Sequence, residues 1–174
     1  MEQFKGSPQA IAPGYDSVEK DAGFYSALAA MWSRRGEDDR AQQAMEEAAR
    51  LDPSSSERWT RLGELALARR QPLKAREALF KAIEVDPGRP EAYRLLAKSH
   101  WEEGKLAEAQ GFYELAARLR PPDGEFAAEL GRFLQAAGQL PLSVEYFRSA
   151  LSQGGGSRPV FLKEYGRALI ELKS

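Results

Sequence analysis

The sequence repeats itself at an interval of 34 residues, and no other feature constrains its fold as strongly. Four columns of similar residues keep this spacing through four copies. The first two columns are Leu28, Leu62, Leu96 and Leu130, and Ala48, Ala82, Ala116 and Ala150. The other two are Ala41, Ala75, Ala109 and Ser143, and Pro53, Pro87, Pro121 and Gly155. Self-similarity at a fixed period of this size predicts an array of stacked supersecondary units.

Each unit is predicted to consist of two helices. In the second copy, two apolar stripes at helical spacing lie on either side of a break at Arg70 to Pro72. The stripes are Trp59, Leu62, Gly63 and Ala66, then Ala75, Leu79, Ala82 and Ile83. Gly36, Gly104 and Gly138 break the other copies, because glycine ends a helix in the left-handed conformation without steric cost. The predicted helices are 22–35, 38–50, 56–70, 72–85, 90–103, 106–119, 124–137, 140–152 and 159–172.

Small residues within these stripes predict close packing of the paired helices. Gly63 and Gly131 leave room for the second helix of their unit to approach, and large neighbours such as Trp59 and Phe147 fill the grooves between turns. One helix pair cannot cover its own apolar face, so each unit needs its neighbours.

Composition excludes several classes of function. The chain has 25 Lys and Arg against 26 Asp and Glu, a net charge of −1, which disfavours general binding to nucleic acids or anionic membranes. The absence of cysteine excludes disulfides, thiolate metal sites and a cysteine nucleophile. His100 is the single histidine, and we interpret it as a structural, hydrogen-bonded residue. We therefore expect no enzyme activity, no cofactor and no metal.

The location of the protein is expected to be cytoplasmic. The first residues contain no apolar stretch of the kind found in signal peptides, and the most apolar window, residues 27–32, is far shorter than a membrane helix. An envelope location stays open if a leader has been removed. The abundance of arginine and alanine favours a bacterial source.

These repeats resemble the tetratricopeptide-repeat (TPR) family. The family pattern is an aromatic residue, Leu-Gly and a second aromatic residue at fixed spacing, then Ala-x3-Phe and a closing Pro. The second copy carries it as Trp59-x2-Leu62-Gly63-x2-Ala66, Ala75-x3-Leu79 and Pro87. The first and third copies begin Tyr25-x2-Leu28-Ala29-x2-Trp32 and Tyr93-x2-Leu96-Ala97-x2-His100. The fourth, looser copy is Ala127-x2-Leu130-Gly131-x2-Leu134, with Ser143-x3-Phe147.

The resemblance also gives the predicted organisation of the chain. Residues 1–21 form a non-repeat arm, and four units follow at about 22–55, 56–89, 90–123 and 124–157. Residues 158–174 form a terminal capping helix that continues the pattern as Leu162-x2-Tyr165-Gly166-x2-Leu169. This helix begins one residue later than the period of 34 residues predicts, which indicates a one-residue insertion in the segment 154–157.

The resemblance implies an all-α, right-handed α-solenoid whose first helices line a concave groove. Such folds bind protein segments or larger protein surfaces and lack catalytic machinery. Related repeats of 35 residues bind RNA, but the strict period of 34 residues and the charge of −1 disfavour that function here.

The exposed stripe of the first helices predicts which residues contact a partner, because i, i+4 and i+7 share one helix face. From the second copy onward these residues are Thr60, Glu64, Leu67, Arg94, Lys98, Trp101, Ala128, Arg132, Gln135, Lys163 and Arg167. The first copy contributes Ser26, Ala30 and Ser33. Five cations in the later copies would favour an acidic segment, with Trp101 as an apolar anchor. The alternative is that Glu91, Glu102, Glu125 and Glu129 neutralise these cations and that Trp101 packs on its neighbours.

One exclusion and two further alternatives concern the partner. Repeat domains that bind the C-terminal Glu-Glu-Val-Asp of heat-shock proteins use Lys and Asn on the first repeat, where this chain has Ser26 and Ala30, so we expect no binding to that ligand. A bacterial assembly factor or a chaperone for secretion or pilus components is a more specific possibility. The apolar stripe of the last helix also favours self-association into a structural oligomer.

Overall fold

A computed structural model describes residues 20–154 and 159–173 of the chain. These residues form helices joined by short turns and contain no strand, so the fold is all-α. The helices are Ala22–Arg34 (α1), Asp38–Leu51 (α2), Ser56–Ala68 (α3), Pro72–Val85 (α4), Pro90–Glu102 (α5), Leu106–Leu119 (α6), Gly124–Ala136 (α7), Leu140–Ser152 (α8) and Pro159–Lys173 (α9). Each begins and ends within two residues of its predicted position. Most of the predicted N-terminal arm, and the insertion near Gly155, lie outside the described residues.

The chain divides into two compact units, Met1–Pro53 and Ser54–Ser174. In the first unit α1 packs on α2, and their shared core is built mainly from small alanines. In the second unit α3 pairs with α4, α5 with α6, and α7 with α8, while α9 packs on α8 and α7. The second unit is therefore three helical hairpins followed by a helix that packs on the last hairpin. None of the helices in the described residues is long and apolar enough to span a membrane.

The turn inside each hairpin uses the left-handed backbone conformation. Gly36, Gly104 and Gly138 have φ values of 72°, 76° and 75°, and all three follow the end of a first helix. Arg70 takes the same place in the second copy with φ 55°, a conformation that is costly for a residue with a Cβ. The sequence break at Arg70 to Pro72 was therefore located correctly, although glycine is absent.

Glycines inside two first helices allow the paired helix to approach closely, as predicted. A Cβ added at Gly63 would lie 2.6 Å from Leu79, and one at Gly131 would lie 2.6 Å from the ring of Phe147. The buried Ser143 hydroxyl donates a hydrogen bond to the Gly131 carbonyl oxygen at 2.8 Å. Serine, which stands in place of alanine in that column of the fourth copy, therefore forms a hydrogen bond to the paired helix.

Replacing Gly131 with alanine should destabilise the protein despite the higher helix propensity of alanine. Because the Phe147 ring is fully buried, it has no free space to move into, and overpacking of this kind costs about 1–3 kcal/mol against a propensity gain of about 1 kcal/mol. Urea denaturation followed by circular dichroism measures the loss.

The matched control for this substitution is Gly111→Ala in the middle of α6. A Cβ at Gly111 meets nothing within 4 Å, so the propensity gain of about 1 kcal/mol should appear as increased stability. If both variants gained stability equally, the close approach of α7 and α8 would be contradicted.

An aromatic cluster joins the second and third hairpins of the larger unit. Tyr113 of α6 lies 4.9 Å from Phe133 and 6.0 Å from Phe126, both on α7, measured between ring centroids. Trp101 of α5 packs edge-on against Phe133 at 5.7 Å. These rings fill the space between the hairpins and fix where α7 lies relative to α5.

Candidate partner-binding groove

A cavity of about 990 Å³ opens along the first helices of the three hairpins. Its lining comes chiefly from one face each of α3, α5 and α7, which the sequence pattern had assigned to a concave groove. We call this cavity the groove. It is lined by Glu64, Leu67, Ala68, Arg70, Pro72, Arg94, Leu95, Lys98, Trp101, Glu102, Glu103, Glu125, Glu129 and Arg132.

The apolar part of the groove is small and lies between α3 and α5. Leu67, Leu95 and Trp101 contribute to it, and Leu67 is buried while the other two are partly exposed. Trp101 faces the groove and also packs on Phe133. The structure therefore combines both interpretations of this tryptophan, as a lining residue and as a packing residue.

The charges of the groove are mixed rather than basic. Its lining holds four cations and five carboxylates. Arg94 pairs with Glu129 at 3.5 Å, and Arg132 pairs with Glu164 of α9 at 3.3 Å. Lys98 is exposed and forms no ion pair with any described residue. The alternative that nearby carboxylates neutralise these cations holds for Arg94, through Glu129, whereas Arg132 pairs with Glu164, which that alternative did not include.

Two of the predicted cations do not line the groove. Lys163 and Arg167 are exposed, and neither contributes to its lining. The carboxylates of α9 lie toward α7 instead, since Arg132 donates a hydrogen bond to Glu164. Three of the five expected cations therefore line the groove, whereas α9 presents Glu164 to α7, and a role of Lys163 and Arg167 in binding stays a prediction.

The other predicted residues are divided between the groove and its surroundings. Thr60 is buried, and its hydroxyl donates a hydrogen bond to the Ser56 carbonyl oxygen. It lines a second, smaller cavity of about 310 Å³. Glu64 and Arg94 line both this cavity and the groove. Gln135 donates a hydrogen bond to Glu171 at 2.9 Å. Ala128 is buried against α8 and α9. Ser26, Ala30 and Ser33 belong to the first unit.

A charged cluster at one end of α5 was not predicted from the sequence. Glu103 accepts hydrogen bonds from Arg76 of α4 and from Lys105, the latter at 2.7 Å. Arg76 also donates to the hydroxyl of the fully buried Ser99. Hydrogen bonds from Lys105 and then Arg76 lower the pKa of Glu103 to about 2. The cluster ties α4 to α5 beside the groove.

Glu103 should make the stability of the protein sensitive to acid. Its folded pKa of about 2 lies below the unfolded value of about 4.3, so its contribution is fully present above pH ~4.3 and is lost as the pH falls toward ~2. The variant Glu103→Gln should be less stable than the parent at pH 7 and should lose less stability over that acid range. Thermal unfolding from pH 2 to pH 7 measures how the stability of the parent and of the variant depends on pH.

The control for this measurement is Glu102→Gln, which removes the preceding carboxylate but none of these hydrogen bonds. If the two variants had the same acid dependence, the cluster around Glu103 would not be a source of pH sensitivity.

His100 packs on α6, and its Nδ1 does not form the hydrogen bond that the sequence suggested. Its ring lies 5.3 Å from that of Phe112, and its Nδ1 has no hydrogen-bond partner among the described residues. Burial, followed by the nearby charges of Arg76 and Lys105, lowers the pKa of His100. The described residues contain no group of three or more metal-binding side chains.

The fold and the groove define a helical-repeat protein built to present one face of successive hairpins. Family models of the tetratricopeptide repeat match residues 35–99 and 94–159, which together cover most of the chain. The chain belongs to the tetratricopeptide-repeat family. Proteins of this family generally serve as non-enzymatic scaffolds, and the repeats of this chain support a role as a scaffold for protein interactions.

Several solved structures are similar to this chain. The MamA protein is 21% identical over 84% of this chain and 80% of its own, with a TM-score of 0.67. Pseudomonas aeruginosa pilF is 20% identical over 88% and 70%, with a TM-score of 0.76. The first TPR of Spaghetti (RPAP3), bound to the HSP90 peptide SRMEEVD, is 20% identical over 70% and 96%, with a TM-score of 0.63. At these identities the likeness concerns the fold, and no curated protein sequence matches the chain.

Proposed function

We propose that this protein binds a segment of a partner protein in the groove, and that the segment presents a carboxylate to Lys98 beside an apolar side chain. The observation that carries the proposal is the cavity of about 990 Å³ on the first helices, with Lys98 exposed in its lining. A cavity of this volume accommodates several side chains of an extended or helical peptide.

The groove side chains that are free to bind a ligand indicate which chemical groups the segment should carry. Lys98 and, at the edge of α3, Arg70 are available for charge-assisted hydrogen bonds, whereas Arg94 and Arg132 already share carboxylates. Trp101 and Leu95 offer a partly exposed apolar surface nearby, and tryptophan is enriched among residues that dominate binding energies. Glu102 and Glu125 also line the groove, and their charges repel a ligand that carries a run of acidic residues. The favoured segment therefore carries one acidic group.

The test is affinity capture from a lysate with the immobilised chain, followed by mass spectrometry. The variant Lys98→Glu reverses the charge in the groove, and Lys74→Glu makes the same change on the exposed surface of α4. A partner retained by the parent and by Lys74→Glu, but lost by Lys98→Glu, supports the proposal. With that partner purified, the Kd should weaken about tenfold or more, the size of one charged hydrogen bond.

Two results would contradict this proposal. One is a partner whose capture does not change in Lys98→Glu. The other is tight binding of the peptide SRMEEVD, since Ser26 and Ala30 replace the Lys and Asn that such ligands require in the resemblance described above. That peptide therefore serves as a negative control in the binding measurements.

A further inference from the structure

The exposed side of α9 carries two large apolar residues on one stripe. Leu162 and Ile170 are 51% and 72% exposed, and they lie four residues before and after Gly166. Positions i, i+4 and i+8 share one helix face, so the three residues form a continuous surface. We call Leu162, Gly166 and Ile170, with the flanking Lys163 and Arg167, the outer face of α9.

Gly166 occupies the place in the repeat at which the second helix of a hairpin normally approaches. Gly63 of α3 and Gly131 of α7 hold this place in their hairpins, and a Cβ at either would lie 2.6 Å from a side chain of the paired helix. A Cβ at Gly166 meets nothing within 4 Å. Within the described residues α9 is therefore a first helix that has no second helix packed on it.

The charges of α9 are sorted between its two sides. Glu164 and Glu171 accept hydrogen bonds from Arg132 and Gln135 of α7. Lys163 and Arg167 are exposed and form no ion pair with any described residue. The outer face thus combines an apolar stripe with cations, and the carboxylates of the helix lie elsewhere.

We propose that the outer face of α9 binds an acidic amphipathic helix of a partner protein, which packs at Gly166 as the second helix of a further hairpin. The apolar side of such a helix covers Leu162 and Ile170, while its carboxylates meet Lys163 and Arg167. Pairing with the α9 of a second copy is disfavoured, because an antiparallel crossing at Gly166 brings the cations of both copies together.

The chain itself supplies two probes that differ mainly in charge. A peptide of α2 has four carboxylates and two arginines, and one of α4 has three cations and two carboxylates, yet both are second helices. Each is cross-linked to hold it helical, through positions 43 and 50 in α2 and positions 77 and 84 in α4, all of which are exposed. The cross-links also remove Arg50 from the first probe and Glu77 and Glu84 from the second, which widens the charge contrast.

Fluorescence anisotropy with the labelled peptides and the full chain tests the proposal. The α2 peptide should bind saturably and at least tenfold more tightly than the α4 peptide in low salt. Its affinity should fall at least tenfold in Leu162→Glu/Ile170→Glu and in Lys163→Glu/Arg167→Glu, and should not change in Lys98→Glu. All four substituted residues of α9 are exposed, so the variants should keep the helical circular dichroism of the parent.

The other outcomes overturn the proposal. Equal or tighter binding of the α4 peptide, no binding of either, or no effect of the α9 variants would each contradict it. Loss of binding in Lys98→Glu would assign the peptide to the groove instead, which keeps this test separate from that of the proposed function.

A dimer in sedimentation equilibrium that Ile170→Glu dissociates would assign the face to a second copy. Co-sedimentation with phosphatidylglycerol vesicles, lost in Lys163→Glu/Arg167→Glu, would assign it to a membrane surface.

Discussion

Replacing Phe147 with alanine should lower the free energy of unfolding by about 3–5 kcal/mol, the range found for buried Phe-to-Ala substitutions. Phe147 is fully buried in α8 and contacts helices on both sides of it. Its ring lies against Gly131 of α7 and within 5.4 Å and 6.0 Å of the rings of Phe161 and Tyr165 on α9. The substitution therefore leaves a cavity in the packing of three helices, and the close approach of α7 and α8 prevents the site from collapsing.

The control is Phe80→Ala, which makes the same chemical change in α4 at a residue that is 46% exposed. Only part of that ring leaves contact with the protein, so the loss should stay below about 1.5 kcal/mol. Urea denaturation with common m-values compares the two variants directly. Equal losses at both positions would mean that the packing around Phe147 contributes no more to stability than a surface ring.

The helices of this protein could be predicted almost completely from its sequence, because the information is local and repeated. Each hairpin turn has its own glycine or proline signal, and each column of small residues recurs in several copies. At Arg70 the local sequence does not indicate the observed backbone conformation. Its place in the repeat required a left-handed residue, and the backbone adopts that conformation with φ 55° although no glycine is present. Pro72 and the two apolar stripes predicted this turn, but the residue type of Arg70 did not predict its left-handed backbone.

The lining of the groove could be predicted only in part. Glu64, Leu67, Arg94, Lys98, Trp101 and Arg132 were predicted from the stripe and do line the groove. That they bind a partner stays a prediction. Helical periodicity identified these six residues of α3, α5 and α7, but it also selected Thr60, Ala128 and Gln135, which do not line the groove.

The electrostatics of the groove could be predicted only as one of two alternatives, because the ion pairs join residues far apart in the sequence. Arg132 bonds with Glu164, which lies 32 residues further along, and Arg76 bonds with Glu103, 27 residues further along. Such pairs depend on the rotation of each helix about its axis. For α9 this rotation places Glu164 beside Arg132 of α7, a pairing that the stripe of the first helices does not address.

Glu129 is a groove carboxylate whose contacts also join residues far apart in the sequence, and it links three helices. Tyr113 is buried in α6, and its hydroxyl donates a hydrogen bond to Glu129 of α7 at 2.8 Å. The second carboxylate oxygen pairs with Arg94 of α5, and the side chain of Glu129 is only 14% exposed. Burial, followed by the charge of Glu129, raises the pKa of the Tyr113 hydroxyl well above its usual value, so this group remains a hydrogen-bond donor.

Replacing Glu129 with alanine should therefore destabilise the protein by about 2–4 kcal/mol, since it leaves a buried hydroxyl without its acceptor and a partly buried guanidinium without its carboxylate. Tyr113→Phe removes only the hydroxyl and leaves the pair with Arg94, so it should cost about 1–2 kcal/mol. Urea denaturation of both single variants and the double variant gives the coupling between the two residues. Because each substitution breaks the same hydrogen bond, the double variant should lose less than the sum of the single losses.

Glu125→Ala is the matched control for the change at Glu129, because Glu125 is an exposed carboxylate of the same helix and the same groove. Its interaction with the start of α7 should be worth no more than about 1 kcal/mol. A loss in Glu129→Ala no larger than that in Glu125→Ala would show that the three-helix network does not hold α5, α6 and α7 together. A clearly larger loss, together with non-additivity with Tyr113→Phe, would mean that the groove owes its shape to a carboxylate that no local sequence pattern distinguishes from its neighbours.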